Sequence, residues 1–112
     1  MNVRTQTLLW AAQRLSGMIL GVLVVVHLIT IIYAVRNGLS AAEILSRTRG
    51  NFAWAGFYAV FVIAVAVHAP IGLRAILSEW ANWRGRSMEV AVGLIGAALA
   101  TLGLRAVWAV FT

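Results

Sequence analysis

Residues 19–32 read Ile-Leu-Gly-Val-Leu-Val-Val-Val-His-Leu-Ile-Thr-Ile-Ile, with one Gly, one His and one Thr among otherwise apolar side chains. Outward from this stretch the apolar run extends over residues 8–35. Roughly 20 apolar residues in a helix cross the hydrocarbon core of a bilayer, and this run supplies them. A cleaved signal peptide is the competing reading. Its apolar region would be only about 7–15 residues long and would end in a small-residue cleavage site. Here the run is longer, Arg14 lies inside its N-terminal end, and Tyr33-Ala34-Val35-Arg36 follows. Two further runs repeat the pattern. Residues 52–77 are interrupted by His68, Pro70, Gly72 and Arg74, and residues 90–111 only by Thr101 and Arg105. Trp10, Trp54, Trp80, Trp83 and Trp108 all fall near span ends, where indole rings settle at the membrane–water interface. The pattern predicts an all-α membrane protein with three transmembrane helices and one domain over residues 1–112.

Composition agrees. The 112 residues are 62% hydrophobic and 11% charged, whereas soluble domains run near a quarter charged. The spans use up most of the chain and leave no room for a water-soluble catalytic or nucleotide-binding domain. The absence of Cys excludes disulfides, Cys-ligated zinc and Cys-ligated iron–sulfur clusters. The net charge of +6 comes from nine Arg and no Lys against three Glu. These arginines sit at span ends and in short loops, which points to anionic lipid headgroups and a partner surface rather than to nucleic acid. Arg4, Arg14, Arg74, Arg84 and Arg86 lie on the N-terminal side and Arg36, Arg47, Arg49 and Arg105 on the other, a slim bias that favours a cytoplasmic N-terminus. In the first loop, Ser40-Ala41-Ala42-Glu43 fits a capping box. It predicts a short interfacial helix over about residues 40–46, with breaks at Asn37-Gly38 and Gly50-Asn51.

Polar groups inside a membrane are costly, so each is a candidate functional position. On the first span, Gln13, Ser16, His27 and Thr30 share one stripe with Leu20 and Leu23 at 100° per residue, and that stripe must face protein or a cofactor. Gly17 and Gly21 form a GxxxG beside it, which reads as helix packing. On the second span, the stripe through His68 holds Phe61, Ala64, Gly72, Ala75 and Glu79. The small neighbours one turn away would leave space for a flat porphyrin, so His68 reads either as a haem ligand or as a membrane histidine bonded to a neighbouring helix. His27, flanked by Leu23 and Ile31, carries the same two readings with less room. Paired carboxylates, a phosphate-binding Gly-rich loop and a zinc ligand set are absent from the sequence.

Two motifs carry a resemblance. Gln13-Arg14-Leu15-Ser16-Gly17 is similar to the HRxSG signature of the membrane-anchor cytochrome b subunits of succinate dehydrogenase and fumarate reductase. His68-Ala69-Pro70-Ile71-Gly72-Leu73-Arg74, followed by Glu79-Trp80, resembles the HxxxGxR segment of the same family with an acidic residue five after the Arg. Three spans, the chain length and the 60 residues between Arg14 and Arg74 also agree, so the resemblance covers nearly the whole chain. There are departures. Gln13 stands where the family usually has a His near a haem propionate. Trp10 stands where some members place a quinone-site Ser, and Glu79 replaces the more usual Asp.

The resemblance implies a haem b-binding anchor of succinate:quinone oxidoreductase, not catalytic alone, working in succinate oxidation in the tricarboxylic acid cycle or in fumarate reduction. It would hold the flavoprotein and iron–sulfur subunits at a bacterial cytoplasmic membrane and help pass electrons to ubiquinone or menaquinone. It would form its helical bundle with a second membrane subunit. By the same resemblance His68 is an axial iron ligand and Arg74 and Arg84 are partners for haem propionates. Arg14, Ser16 and Trp10 line the quinone site. A His as deep as His27 is a feature of two-haem anchors. At 1.5 Å per residue His27 lies roughly 20 Å past Arg14 and His68 roughly 9 Å before Arg74. If the two arginines sit at one level, the histidines differ in depth by about 10 Å, which suits two stacked haems better than one shared haem. Two haems need four axial ligands, so the second membrane subunit would bring the other two. The alternatives are a one-haem site with His27 as a packing residue, a cofactor-free scaffold or assembly subunit, and a three-span transport subunit. The last is disfavoured because Thr101 is the one polar residue near the middle of the third span.

Overall fold

The computed structural model describes residues 2–112, which form four helices in the order α1 (Val3–Arg36), α2 (Ala41–Thr48), α3 (Phe52–Glu79) and α4 (Arg86–Phe111). The three long ones are each long and apolar enough to cross a membrane. They coincide with the expected spans, but α1 starts five residues earlier and α4 four residues earlier than the apolar runs do. Polar residues at the water face still make helical hydrogen bonds, so the helices outrun the hydrophobic pattern. The molecule measures 49 × 24 × 22 Å, close to the ~50 Å that 34 residues of α1 require.

Local chemistry sets the helix ends. Asn2 caps α1 by accepting from the Thr5 amide at 2.8 Å. Ser40 and Glu43 complete the expected capping box on α2. Asn51 accepts from the amides of Ala53 and Trp54 at the start of α3. The turn into α4 uses positive φ at Asn82 and at Gly85, whose φ of 98° suits glycine. Pro70 sits inside α3.

Helix α3 is central, with α1 on one side and α4 on the other. The α3–α4 approach is close because Gly96 and Gly103 on α4 lack side chains. A Cβ on Gly103 would lie 2.5 Å from Val62 Cγ1, and one on Gly96 would lie 2.8 Å from Pro70 Cγ. The expected GxxxG on α1 divides. Gly17 backs onto His68, but a Cβ on Gly21 would meet nothing within 4 Å. Position 21 therefore serves no packing within this chain.

The short helix α2 closes the far end of the bundle. Thr48 Oγ1 donates to the Val110 carbonyl at 2.8 Å, and the Gly50 amide donates to the Phe111 carbonyl at 2.8 Å. These two donors satisfy carbonyls at the end of α4 that no later helical turn can reach. Replacing Thr48 by Val keeps the shape and removes one donor. It is expected to cost about 1 kcal/mol and to speed tryptic cleavage at Arg47 and Arg49, which limited proteolysis of the detergent-solubilised protein would measure.

Side chains with little exposure are few. Ala64, Met88 and Val92 form the small apolar core and Ser16 is the buried polar residue, while many large apolar side chains on all three spans face outward. A bilayer is the environment in which such a surface is stable, because lipid tails cover what this chain leaves uncovered.

Candidate functional site

The seam between α1 and α3 carries the polar residues. These helices run antiparallel, and their contacts set the register. Gln13 lies level with Gly72, Ser16 and Gly17 with His68, and His27 with Tyr58. The α1 stripe read from periodicity therefore does face protein.

At the end nearer the N-terminus, Ser16 is 6% exposed. Its Oγ lies 3.1 Å from the Gln13 carbonyl and 3.2 Å from His68 Nδ1. A hydroxyl has one proton to give and two lone pairs. With that proton on the Gln13 carbonyl, the bond to His68 runs the other way, so Nδ1–H donates to Ser16 Oγ. The second ring nitrogen, Nε2, is then the unprotonated one, with a lone pair to offer. It makes no hydrogen bond among the described residues. Nor is it sealed off, since the sealed and unpartnered side-chain polar atom among them is Gln13 Oε1. That amide lies against Gly72, where a Cβ would come within 3.1 Å of Gln13 Nε2. The small residues around His68 therefore do not leave the free space expected of them. Gly72 is covered by Gln13 and Ala64 is buried in the core, because close helix packing has taken up the room.

His27 sits farther along the same seam. Its Nδ1 is 3.4 Å from the Tyr58 hydroxyl, and its ring meets the edges of Tyr58 and Phe61, each with centroids 5.6 Å apart. It lines two apolar grooves beneath α2, of about 380 and 350 Å³, which share His27, Tyr58, Ile44 and Thr48. The register corrects the assumed level of the arginines. Arg74 lies beyond Gly72, which is level with Gln13, so Arg74 stands nearly a turn farther out than Arg14. The two histidines are then separated along the seam by about 15 Å rather than about 10 Å, since ten α3 residues divide Tyr58 from His68.

The other candidate residues take the following places. Arg14 and Trp10 share the outer face of α1, where the guanidinium lies 5.8 Å from the indole centroid and Trp10 is 64% exposed. Ser16 does not join them. Two residues are 200° on a helix, and Ser16 points into the seam rather than to the face that Arg14 and Trp10 share. Arg74 donates from Nε to Glu89 Oε1 at 2.6 Å, so an acid from α4 pairs with it. Arg84 donates from Nε to the Ser78 carbonyl at 3.2 Å and so caps the end of α3. Sequence reading missed Tyr58 and Glu89, because each matters through a neighbour on another helix. An aromatic three residues before the stripe position Phe61 and an acid in the first turn of the third span were the available signals.

Comparison with known proteins adds one finding. The model of a protein family described as succinate dehydrogenase/fumarate reductase transmembrane subunit matches residues 1–109. No curated protein and no solved structure matches the chain significantly.

Proposed function

The chain belongs to the succinate dehydrogenase/fumarate reductase transmembrane-subunit family, and from that premise we propose that it is a haem b-binding anchor that helps deliver electrons to quinone. The observation that carries this reading is the 3.2 Å contact between His68 Nδ1 and Ser16 Oγ; with Nδ1–H as its donor, Nε2 keeps a lone pair. A neutral imidazole with its second nitrogen bonded is the usual form of a metal-ligating histidine. The donor set fits haem iron in part, because one His at this level would supply one iron ligand and the second would come from the neighbouring membrane subunit. Bound there, haem b supplies a one-electron carrier between the iron–sulfur subunit and quinone.

The chain's own residues divide the remaining work. His68 holds the iron and Ser16 holds His68. Arg14, at the membrane face beside Trp10, polarises a carbonyl of ubiquinone or menaquinone. Arg84 offers further guanidinium donors to a propionate from the N-terminal end of the bundle, whereas the charge of Arg74 is already balanced by Glu89. The flavoprotein and iron–sulfur subunits dock at this end, on the cytoplasmic side of a bacterial inner membrane.

His27 favours a second haem over a purely structural role. It lies about 15 Å from His68 along one seam, beside an apolar groove, with a Tyr58 hydroxyl positioned to accept from Nδ1–H. The test is a dithionite-reduced minus oxidised spectrum of the purified complex, with haem counted per copy of this chain. Two haems falling to one in His27→Ala are expected. One haem kept in His27→Ala would make His27 a packing residue. A colourless wild-type complex would overturn the cytochrome reading in favour of a cofactor-free scaffold.

A further inference from the structure

We propose that Ser16 is a positioning residue, whose hydroxyl sets both the rotation and the donor strength of His68. The proposal rests on the reading of His68 as an iron ligand and adds a role that the α1 motif does not reveal by itself.

Three observations combine. Ser16 is buried in the seam, so its hydroxyl has no competition from water. Its proton already has an acceptor in the Gln13 carbonyl at 3.1 Å, which leaves Oγ as an acceptor at 3.2 Å from His68 Nδ1. Next to it, Gly17 lets the ring lie against the α1 backbone, since a Cβ there would press within 3.3 Å of His68 Cε1. Residues 16 and 17 thus form a seat, with an acceptor for Nδ1–H on one side and no side chain on the other. Such a seat fixes which nitrogen carries the proton and how the ring is turned.

The seat has an electronic consequence. A hydrogen bond accepted from Nδ1–H draws that proton partly away and makes Nε2 a stronger donor. A stronger axial donor stabilises the ferric state over the ferrous one, which lowers the midpoint potential. Removing the acceptor reverses the effect.

The experiment uses the whole complex, with wild type, Ser16→Ala, Ser16→Thr and His68→Ala. Its readouts are the reduced-minus-oxidised spectrum, the haem midpoint potential and the g values of the ferric haem. In Ser16→Ala the haem is expected to stay bound, with a raised potential and shifted g values. Ser16→Thr, which keeps the hydroxyl, is expected to return both towards wild type. Should Ser16→Ala not assemble, Ser16→Cys keeps a weaker acceptor and is expected to show a smaller rise. A wild-type potential in Ser16→Ala or Ser16→Cys would overturn the proposal while leaving the haem reading intact, and so would a Ser16→Thr potential raised as far as that of Ser16→Ala. A haem band kept in full by His68→Ala would overturn the haem reading itself.

Discussion

His68→Ala is expected to abolish the absorption of the haem proposed at His68 while the complex still assembles. On the proposed reading, the imidazole is the one group able to ligate iron at its level among the described residues. The other histidine lies about 15 Å away along the seam, too far for a rotamer change to bring it into place. The substitution also removes the donor to Ser16, whose hydroxyl still keeps the Gln13 carbonyl as its acceptor. The structural cost is therefore modest, about 1–3 kcal/mol for one lost buried hydrogen bond and a small cavity. Because loss of stability is small and loss of the ligand is complete, co-purification of the subunits and disappearance of the absorption band separate the two. If the complex holds two haems, half of the absorption should go. A band of wild-type size would mean that His68 is a packing residue.

The second large effect is expected at the α3–α4 crossing. Gly103→Ala places a methyl 2.5 Å from Val62 Cγ1, 2.9 Å from Cγ2 and 3.2 Å from Cβ. Valine is stiff at χ1, so no rotamer of Val62 clears all three contacts and the helices must separate. Overpacking of this kind costs roughly 1–3 kcal/mol, and Gly103→Leu should cost more and prevent α4 from packing on α3. Gly93 is the control on the same helix. A Cβ there meets nothing within 4 Å, so Gly93→Ala in isolated chain should be neutral or stabilising by up to about 1 kcal/mol, the penalty of glycine in a helix. Thermal unfolding of the detergent-solubilised chain would distinguish the three variants. Equal midpoints for Gly103→Ala and Gly93→Ala would refute the close crossing.

The register is where sequence reasoning about the site fell short. Levelling Arg14 with Arg74 was reasonable, because both sit near one membrane face. The antiparallel seam instead pairs Gln13 with Gly72, and Arg74 reaches farther out to meet Glu89. A charged side chain on a long stem can find its counter-ion from several backbone depths, so its position in the sequence does not fix its level. The same reasoning explains Ser16. Its proximity to Arg14 along the chain suggested a shared pocket, but a helix separates such neighbours by 200°.

The amino-acid sequence alone determined the three spans, the capped interfacial helix α2 and the stripe that joins Gln13, Ser16 and His27. Each of these follows from local physics: the length of apolar runs set by bilayer thickness, a side chain capping its own helix, and the 100° step between residues. The tertiary structure decided which stripe met which. It turned Ser16 onto His68, set Tyr58 beside His27, brought Glu89 to Arg74, and placed Gly96 and Gly103 rather than Gly21 at a helix crossing. The physical reason is that these spans are apolar nearly all round. In lipid, hydrophobicity does not favour one face over another, so rotation and register come from close packing and from the few polar groups that must find partners across helices.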